Sequence, residues 1–137
     1  MAKILGLDMG EKRIGMAISD ENQTIAFPLK VFQLGRRAAF INELQQLIGE
    51  QGVERIVLGL PLRTDGKPSA AAQAVREWAA VLHRELHIPV ALYDERFTSV
   101  EAHRSLDEMG VSHKKRRQKV DMIAARLLLQ AYLDSRA

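Results

Sequence analysis

KILGLDMGEKRIGMAISD, residues 3–20, reads as two β-strands joined by a tight turn. In KILGLDMG, Ile4, Gly6 and Asp8 share one face and Leu5 and Leu7 the other, the two-residue period of a strand. GEKR makes the turn, and RIGMAISD is the hairpin partner. AFPLKVF (26–32) adds a third strand. Its Pro28 suits an edge or a bulge, because proline cannot donate to a ladder.

Beyond the third strand, Phe40, Ile41, Leu44, Leu47 and Ile48 recur at helical spacing, with Gly49 and Gly52 offering a stop. RIVLGLP (55–61) is almost continuously apolar, as in a strand buried on both faces. PLRTDGKPS is a loop whose Arg63 and Lys67 suit either a flap over a substrate or a plain connection. Val75, Trp78, Ala79, Leu82 and Leu86 form the apolar face of a second helix, and Pro89 begins the strand PVALYDE. FTSVEA opens a short helix, with Thr98 and Glu101 spaced as a capping box and Gly110 at its end. QKVDMIAARLLLQAYLDS is a long last helix with an apolar stripe of Val120, Ile123, Ala124, Leu127 and Ala131. The order β-β-β-α-β-α-β-α-α predicts an α/β fold, parallel in its second half and mixed because of the opening hairpin.

A chain of 137 residues is expected to form one domain over 1–137. It has no cysteine, which excludes disulfides, thiolate zinc sites and thiol catalysis and fits a reducing compartment, the cytoplasm. MAKILGLDMG does not resemble a signal peptide, and no apolar run approaches the roughly 20 residues of a membrane span.

The net charge of +3 is unevenly spread. Residues 114–119, KKRRQK, hold five cations and no anion; without them the chain carries fifteen Lys and Arg against 17 Asp and Glu. A mildly acidic body with one concentrated basic patch is an electrostatic footprint for phosphates, although such a run is also compatible with a solvated loop.

Acids stand beside apolar runs at three places. Asp8 ends the first strand, Asp94 and Glu95 end the last, and Asp121 lies one turn into the final helix, directly after the basic patch. Open α/β sheets bind ligands beyond the carboxyl ends of their strands. Clustered carboxylates repel unless a hard divalent cation neutralises them, and two such ions about 3.5–4 Å apart can drive phosphodiester hydrolysis. If one strand separates Asp8 from Glu95, their backbones stand roughly 10 Å apart. Each acid alone also has a structural explanation: a strand-end turn-former, a helix N-terminal acid at Asp121, or carboxylates paired with Arg96.

GLDMGEKRIGMAISD (6–20), IVLGLPLRTDGKPS (56–69), YDERFTSVEA (93–102) and KKRRQKVDMIAARLLLQAYLD (114–134) resemble, in order, the four sequence blocks of the YqgF/RuvX family of Holliday-junction-resolvase-like pre-16S rRNA nucleases. The resemblance covers essentially the whole chain. It implies a ribonuclease-H-like fold with a mixed five-stranded sheet and helices on both faces. It implies a divalent-metal-dependent nuclease (Mg²⁺ or Mn²⁺) with Asp8, Glu95 and Asp121 as catalytic, metal-binding acids. It further implies processing of the 5′ end of pre-16S rRNA, with resolution of four-way DNA junctions as the alternative. Phe97 and Ser99 stand where the family commonly carries Leu and Thr. Candidate nucleic-acid contacts are Lys12 and Arg13 in the turn after Asp8, Arg96, and Lys114, Lys115, Arg116, Arg117 and Lys119 of the patch. The partner is structured RNA or branched DNA, with no membrane, and the protein a monomer or homodimer.

Other chemistries find less support. GEKRIGMA has P-loop glycine spacing, but Met16 and Ala17 replace the required Lys and Ser or Thr. His83 and His87 are four apart on a helix, yet no third ligand accompanies them; both read as surface residues, as does His103. With 5% aromatic residues, a base-stacking platform is unpromising. An actin-like phosphotransferase uses two such domains around a nucleotide, so that reading needs a dimer to build the cleft. A non-catalytic rRNA-binding assembly factor would use the patch and leave the acids structural.

Overall fold

The structure, a computed structural model, describes residues 2–61, 69–94 and 113–136, with side chains from 119 onward in the last segment. The elements are β1 (Lys3–Met9), β2 (Arg13–Ser19), β3 (Ala26–Gln33), α1 (Arg37–Gln51), β4 (Val53–Leu60), α2 (Ala70–Leu86), β5 (Val90–Asp94) and α3 (His113–Ser135). The short helix expected between Thr98 and Gly110, and most of the loop with Arg63 and Lys67, lie outside the described residues.

The five strands form one mixed sheet in the order β3-β2-β1-β4-β5. The β1–β2 and β2–β3 pairs are antiparallel; β4 is parallel to both β1 and β5. Strand β3 is an edge, and its register against β2 shifts between Met16 and Ala17, opposite Pro28, so the proline occupies both settings expected of it.

The strand period sorts side chains onto two layers. Leu5, Leu7, Ile14, Met16, Ile56 and Leu58 point to one face, where Phe40 and Leu44 of α1 and Val75 and Leu82 of α2 cover them. Ile4, Ala17, Ala26 and Val57 point to the other, under Ala125, Leu129, Tyr132 and Leu133 of α3. Helix α1 ends at Gly52, whose φ of 68° supplies the left-handed cap that glycine adopts without Cβ strain. Helix α2 starts at Ser69, whose hydroxyl accepts the Ala72 N–H. At the far end of the hairpin the buried Ser19 hydroxyl accepts the Ile4 N–H at 2.8 Å and donates to the Asp20 carbonyl at 2.9 Å. The Asp20 carboxylate accepts the N–H groups of Ile25 and Thr24, which hold its pKa below the ordinary carboxylate value. Its contribution to stability is therefore present near neutrality and is lost as pH falls through that lowered value.

Helix α3 departs from the sequence expectation twice. It begins at His113, five residues before the expected start, so KKRRQK is helical rather than a loop. Its buried stripe is Ala124, Ala125, Leu128, Leu129, Tyr132 and Leu133; Val120, Ile123, Leu127 and Ala131 are only half-buried. The helix is apolar on nearly every side after residue 119, so its periodicity fits several stripes. The sheet makes the selection. Gly6, Gly15, Ala17 and Ala26 form a low surface on that face, and the Ala124–Ala125 side of the helix settles into it. Gln130 ties the helix to β3, accepting the Ala26 N–H and donating to the Thr24 carbonyl, both at 2.9 Å. Arg55 of β4 donates to the Tyr132 hydroxyl at 3.0 Å, and Tyr132 meets Tyr93 of β5 edge to face.

Candidate functional site

Asp8 is the penultimate residue of β1, on the face of Ile4 and Gly6 that α3 covers. Its register partner on β2 is Gly15. A Cβ added to Gly15 would run into the carbonyl group of Asp121 and lie 3.2 Å from its Cα. The α3 backbone at Asp121 therefore rests directly on the strand position beside Asp8. Paired residues in an antiparallel ladder have Cα atoms about 4.5–5.5 Å apart. Two acids separated by 113 positions in sequence thus become neighbours on one face of the sheet through a single missing side chain.

Asp121 lies a little over two turns into α3, not one, so it is not an N-terminal helix acid, and that explanation of it falls away. Its Oδ2 accepts the Arg13 Nε–H at 2.6 Å, and the two side chains are 19% and 30% exposed. Arg13 is the first residue of β2 and shares the face of Gly15 and Ala17. Gly10, Glu11, Lys12, Arg13 and Asp121 enclose a cavity of about 290 Å³ at the carboxyl edge of β1. The turn that forms its wall is closed by a 2.9 Å hydrogen bond from the Gly10 N–H to the Arg13 carbonyl. A Cβ at Gly10 would sit 2.5 Å from that carbonyl oxygen, so only glycine fits there.

Asp94 ends β5, and one strand, β4, lies between β5 and β1. Ala91 and Tyr93 face α3 while Val90 and Leu92 face α1 and α2, so the strand period puts Asp94 on the side opposite Asp8. Glu95 and Arg96 lie outside the described residues, as do the side chains of Lys114, Lys115, Arg116 and Arg117. Lys12 is exposed in the turn, and Lys119 is half-buried on α3. His83 and His87 are exposed at the end of α2, His87 serving as its left-handed cap.

Asp8 and Asp121 offer hard carboxylate oxygens, the donor chemistry that suits Mg²⁺ or Mn²⁺. Among the described residues no group of three or more His, Asp or Glu stands together. A larger cavity, about 350 Å³, lies between the β2–β3 turn and the end of α3. Its wall holds Asp134 beside Arg136 and none of the acids expected to act together. Sequence reasoning missed Gly15 and Glu11. The available signal for Gly15 was the run of small residues Gly6, Gly15 and Ala17 on one face, which marks close approach of another backbone.

A mixed sheet that opens with an antiparallel hairpin, continues in parallel strands and carries helices on both faces, with acids at its carboxyl edge, defines a ribonuclease-H-like α/β protein. Solved structures of that fold superpose over nearly the whole chain. The Thermus thermophilus RuvC bound to a Holliday junction substrate matches with a TM-score of 0.57 at 13% identity, covering 99% of this chain and 96% of that one. The fowlpox virus resolvase bound to Holliday junction DNA matches with a TM-score of 0.56 at 13% identity, covering 97% of each. The chain belongs to the RuvX family, described as Holliday junction resolvase, whose model matches residues 2–135. A relative from Maridesulfovibrio salexigens is 41% identical over 131 residues, covering 96% of this chain and 97% of its own. Another, from Chloroflexus aggregans, is 42% identical over 133 residues, covering 97% and 94%. Both carry the name "Putative pre-16S rRNA nuclease".

Proposed function

We propose that this chain is a divalent-metal-dependent nuclease that hydrolyses phosphodiester bonds in structured RNA, processing the 5′ end of pre-16S rRNA in the cytoplasm, with residues 1–137 acting as one nuclease domain. The observation that carries this reading is the seating of Asp121 over Gly15, beside Asp8, with Arg13 paired to Asp121 and both lining one open cavity. The names of the relatives support the substrate.

Asp8, Glu95 and Asp121 are the residues assigned to hold Mg²⁺ or Mn²⁺. Asp94, on the other side of the sheet, is unsuited to join Asp8, which supports its neighbour Glu95 as the third acid. When bound, the metal supplies Lewis acidity that activates water and neutralises charge on the leaving oxygen. The chain's own cations do the rest. Arg13 lines the cavity, where a phosphate oxygen can take up the N–H groups that Asp121 does not engage. Lys12 adds a charge in the same turn, and Arg96 is assigned to the same strand of substrate.

Lys114, Lys115, Arg116, Arg117 and Lys119 are assigned to sequence-independent backbone contacts. Their place on α3, just before Asp121, supports this: one helix carries both the cations and that acid. Replacing Lys114, Lys115, Arg116 and Arg117 together by Ala is expected to weaken binding to unrelated RNA sequences alike. It should also flatten the dependence of log affinity on log salt, by up to roughly 0.9 for each phosphate that the variant no longer neutralises. Filter binding across a salt series checks this, and an unchanged slope would return the patch to a solvated surface.

The test of the function itself is cleavage of labelled pre-16S rRNA, unstructured RNA and a four-way DNA junction in parallel, with Mg²⁺ or Mn²⁺ against chelator. Metal-dependent cutting of the rRNA precursor is the expected result. Preferential cutting of the junction would move the substrate to branched DNA. Binding without cutting of any substrate would make the protein an rRNA-binding factor.

A further inference from the structure

On the other side of the Gly10–Lys12 turn, facing α2, lies a second cavity of about 270 Å³. Met9, Leu34, Ala71, Ala74 and Trp78 line it, and Gly10 and Glu11 belong to both cavities, so the turn is the wall between them. We propose that this groove receives one unpaired nucleobase of the strand being cut, adjacent to the phosphate held beside Arg13. The inference rests on the nuclease reading above and adds a class of substrate to it: RNA with an unpaired nucleotide next to the scissile bond.

Three features commit the groove to a base. Its floor is apolar and ends on the half-buried Trp78 ring, the chain's single tryptophan. Phe40 meets that ring edge to face, with centroids 5.5 Å apart, and the Arg37 guanidinium lies over it, 5.7 Å from its centre. A flat aromatic base stacks on such a surface whatever its identity. The approach is basic: the Leu34 N–H donates to the Lys12 carbonyl at 2.8 Å, drawing the segment with exposed Arg36 and Arg37 up to the turn. A phosphodiester strand matches that charge, and an acidic side chain on the shared wall, Glu11, offers an acceptor to base N–H groups. Finally, the two cavities open on opposite sides of one short turn. A strand with its phosphate on the Arg13 side and its next base on the Trp78 side must cross over the turn. A base that does so has left its helical stack, which costs least where it is already unpaired.

The sequence argued against a base-stacking platform, and one tryptophan is not a platform. A slot for a single base needs only one ring, which composition cannot reveal.

The probe is an RNA duplex with a single-nucleotide bulge, compared with the same duplex without the bulge and with an abasic residue at the bulge. All are titrated in chelator, following Trp78 fluorescence and affinity. Ala74→Leu fills the groove from an exposed helical position with a good helix former, and Ala71→Leu is a second variant against a local folding defect; circular dichroism checks both. Bulged RNA is expected to quench Trp78 and to bind wild type about tenfold more tightly than either variant. The perfect and abasic duplexes should bind wild type and variants alike, without quenching. Equal affinity of wild type and variants for bulged RNA, or equal quenching by the perfect duplex, would overturn the groove. If metal-dependent cleavage persisted in that case, the nuclease reading would stand without it. Failure of wild type to bind any of the three RNAs would overturn the groove, and the nuclease reading would fall only if metal-dependent cleavage failed as well.

Discussion

Gly15→Ala is expected to destabilise the protein by about 3 kcal/mol and to lower Tm by roughly 10 °C. The added methyl has nowhere to go. Its nearest neighbours are the carbonyl oxygen, carbonyl carbon and Cα of Asp121, all backbone atoms of a helix held at three further points by Gln130, Arg55 and Tyr93. A clash with the tip of a flexible side chain would relax by a rotamer change, whereas this one requires α3 to lift. Lifting α3 also exposes apolar surface around the fully buried Ala125 and Leu129, so the steric and hydrophobic costs add. For a domain whose total stability is about 5–15 kcal/mol, that is a large fraction. Gly49→Ala is the control, because it lies inside α1 with nothing within 4 Å of the new Cβ. There the same chemical change should stabilise by roughly 0.5–1 kcal/mol, the ordinary advantage of alanine in a helix. Thermal denaturation of both variants checks the pair, and an unchanged Tm for Gly15→Ala would mean that α3 does not seat on that strand. The surviving folded fraction should also cleave poorly, since displacement of α3 moves Asp121 away from Asp8.

How much of this was readable in advance depends on the range of the interaction. The β1–β2 hairpin and the buried β4 follow from side-chain alternation and from an apolar run, which are local signals. The acids at strand ends were legible for the same reason: Asp8 and Asp94 interrupt apolar patterns. Helix α3 was harder. KKRRQK contains no apolar residue, so periodicity marks no helix before Val120, although Lys and Arg are good helix formers. Its buried side was set by the low surface of Gly6 and Gly15 beneath it, which a periodicity within α3 does not contain. The Arg13–Asp121 pair joins residues 108 positions apart, and no spacing rule reaches that far. From sequence, Arg13 reads as a candidate phosphate contact in the turn after Asp8; in the fold it partners Asp121.

That partnership shapes the second large effect. Asp121→Asn is expected to reduce cleavage by at least ~10²-fold while folding and most RNA affinity survive. Asparagine keeps the size of the side chain and an oxygen that can accept the Arg13 Nε–H, so the hydrogen bond persists without the charge. The ion pair it replaces is partly exposed on both sides, so its loss should cost no more than about 1 kcal/mol. Metal affinity, measured by calorimetry, should fall together with cleavage, because an amide is a poorer ligand for a hard cation than a carboxylate. Asp8→Asn should behave in the same way, since the two acids are assigned to one ion-binding set. Asp134→Asn, in the other cavity at the far end of α3, changes the same charge on the same helix and should leave cleavage intact. Equal losses at Asp121 and Asp134 would mean that only the overall field of the helix matters. Full activity in Asp121→Asn would remove it from the metal site, and its pairing with Arg13 would then be a structural ion pair holding α3 to the hairpin.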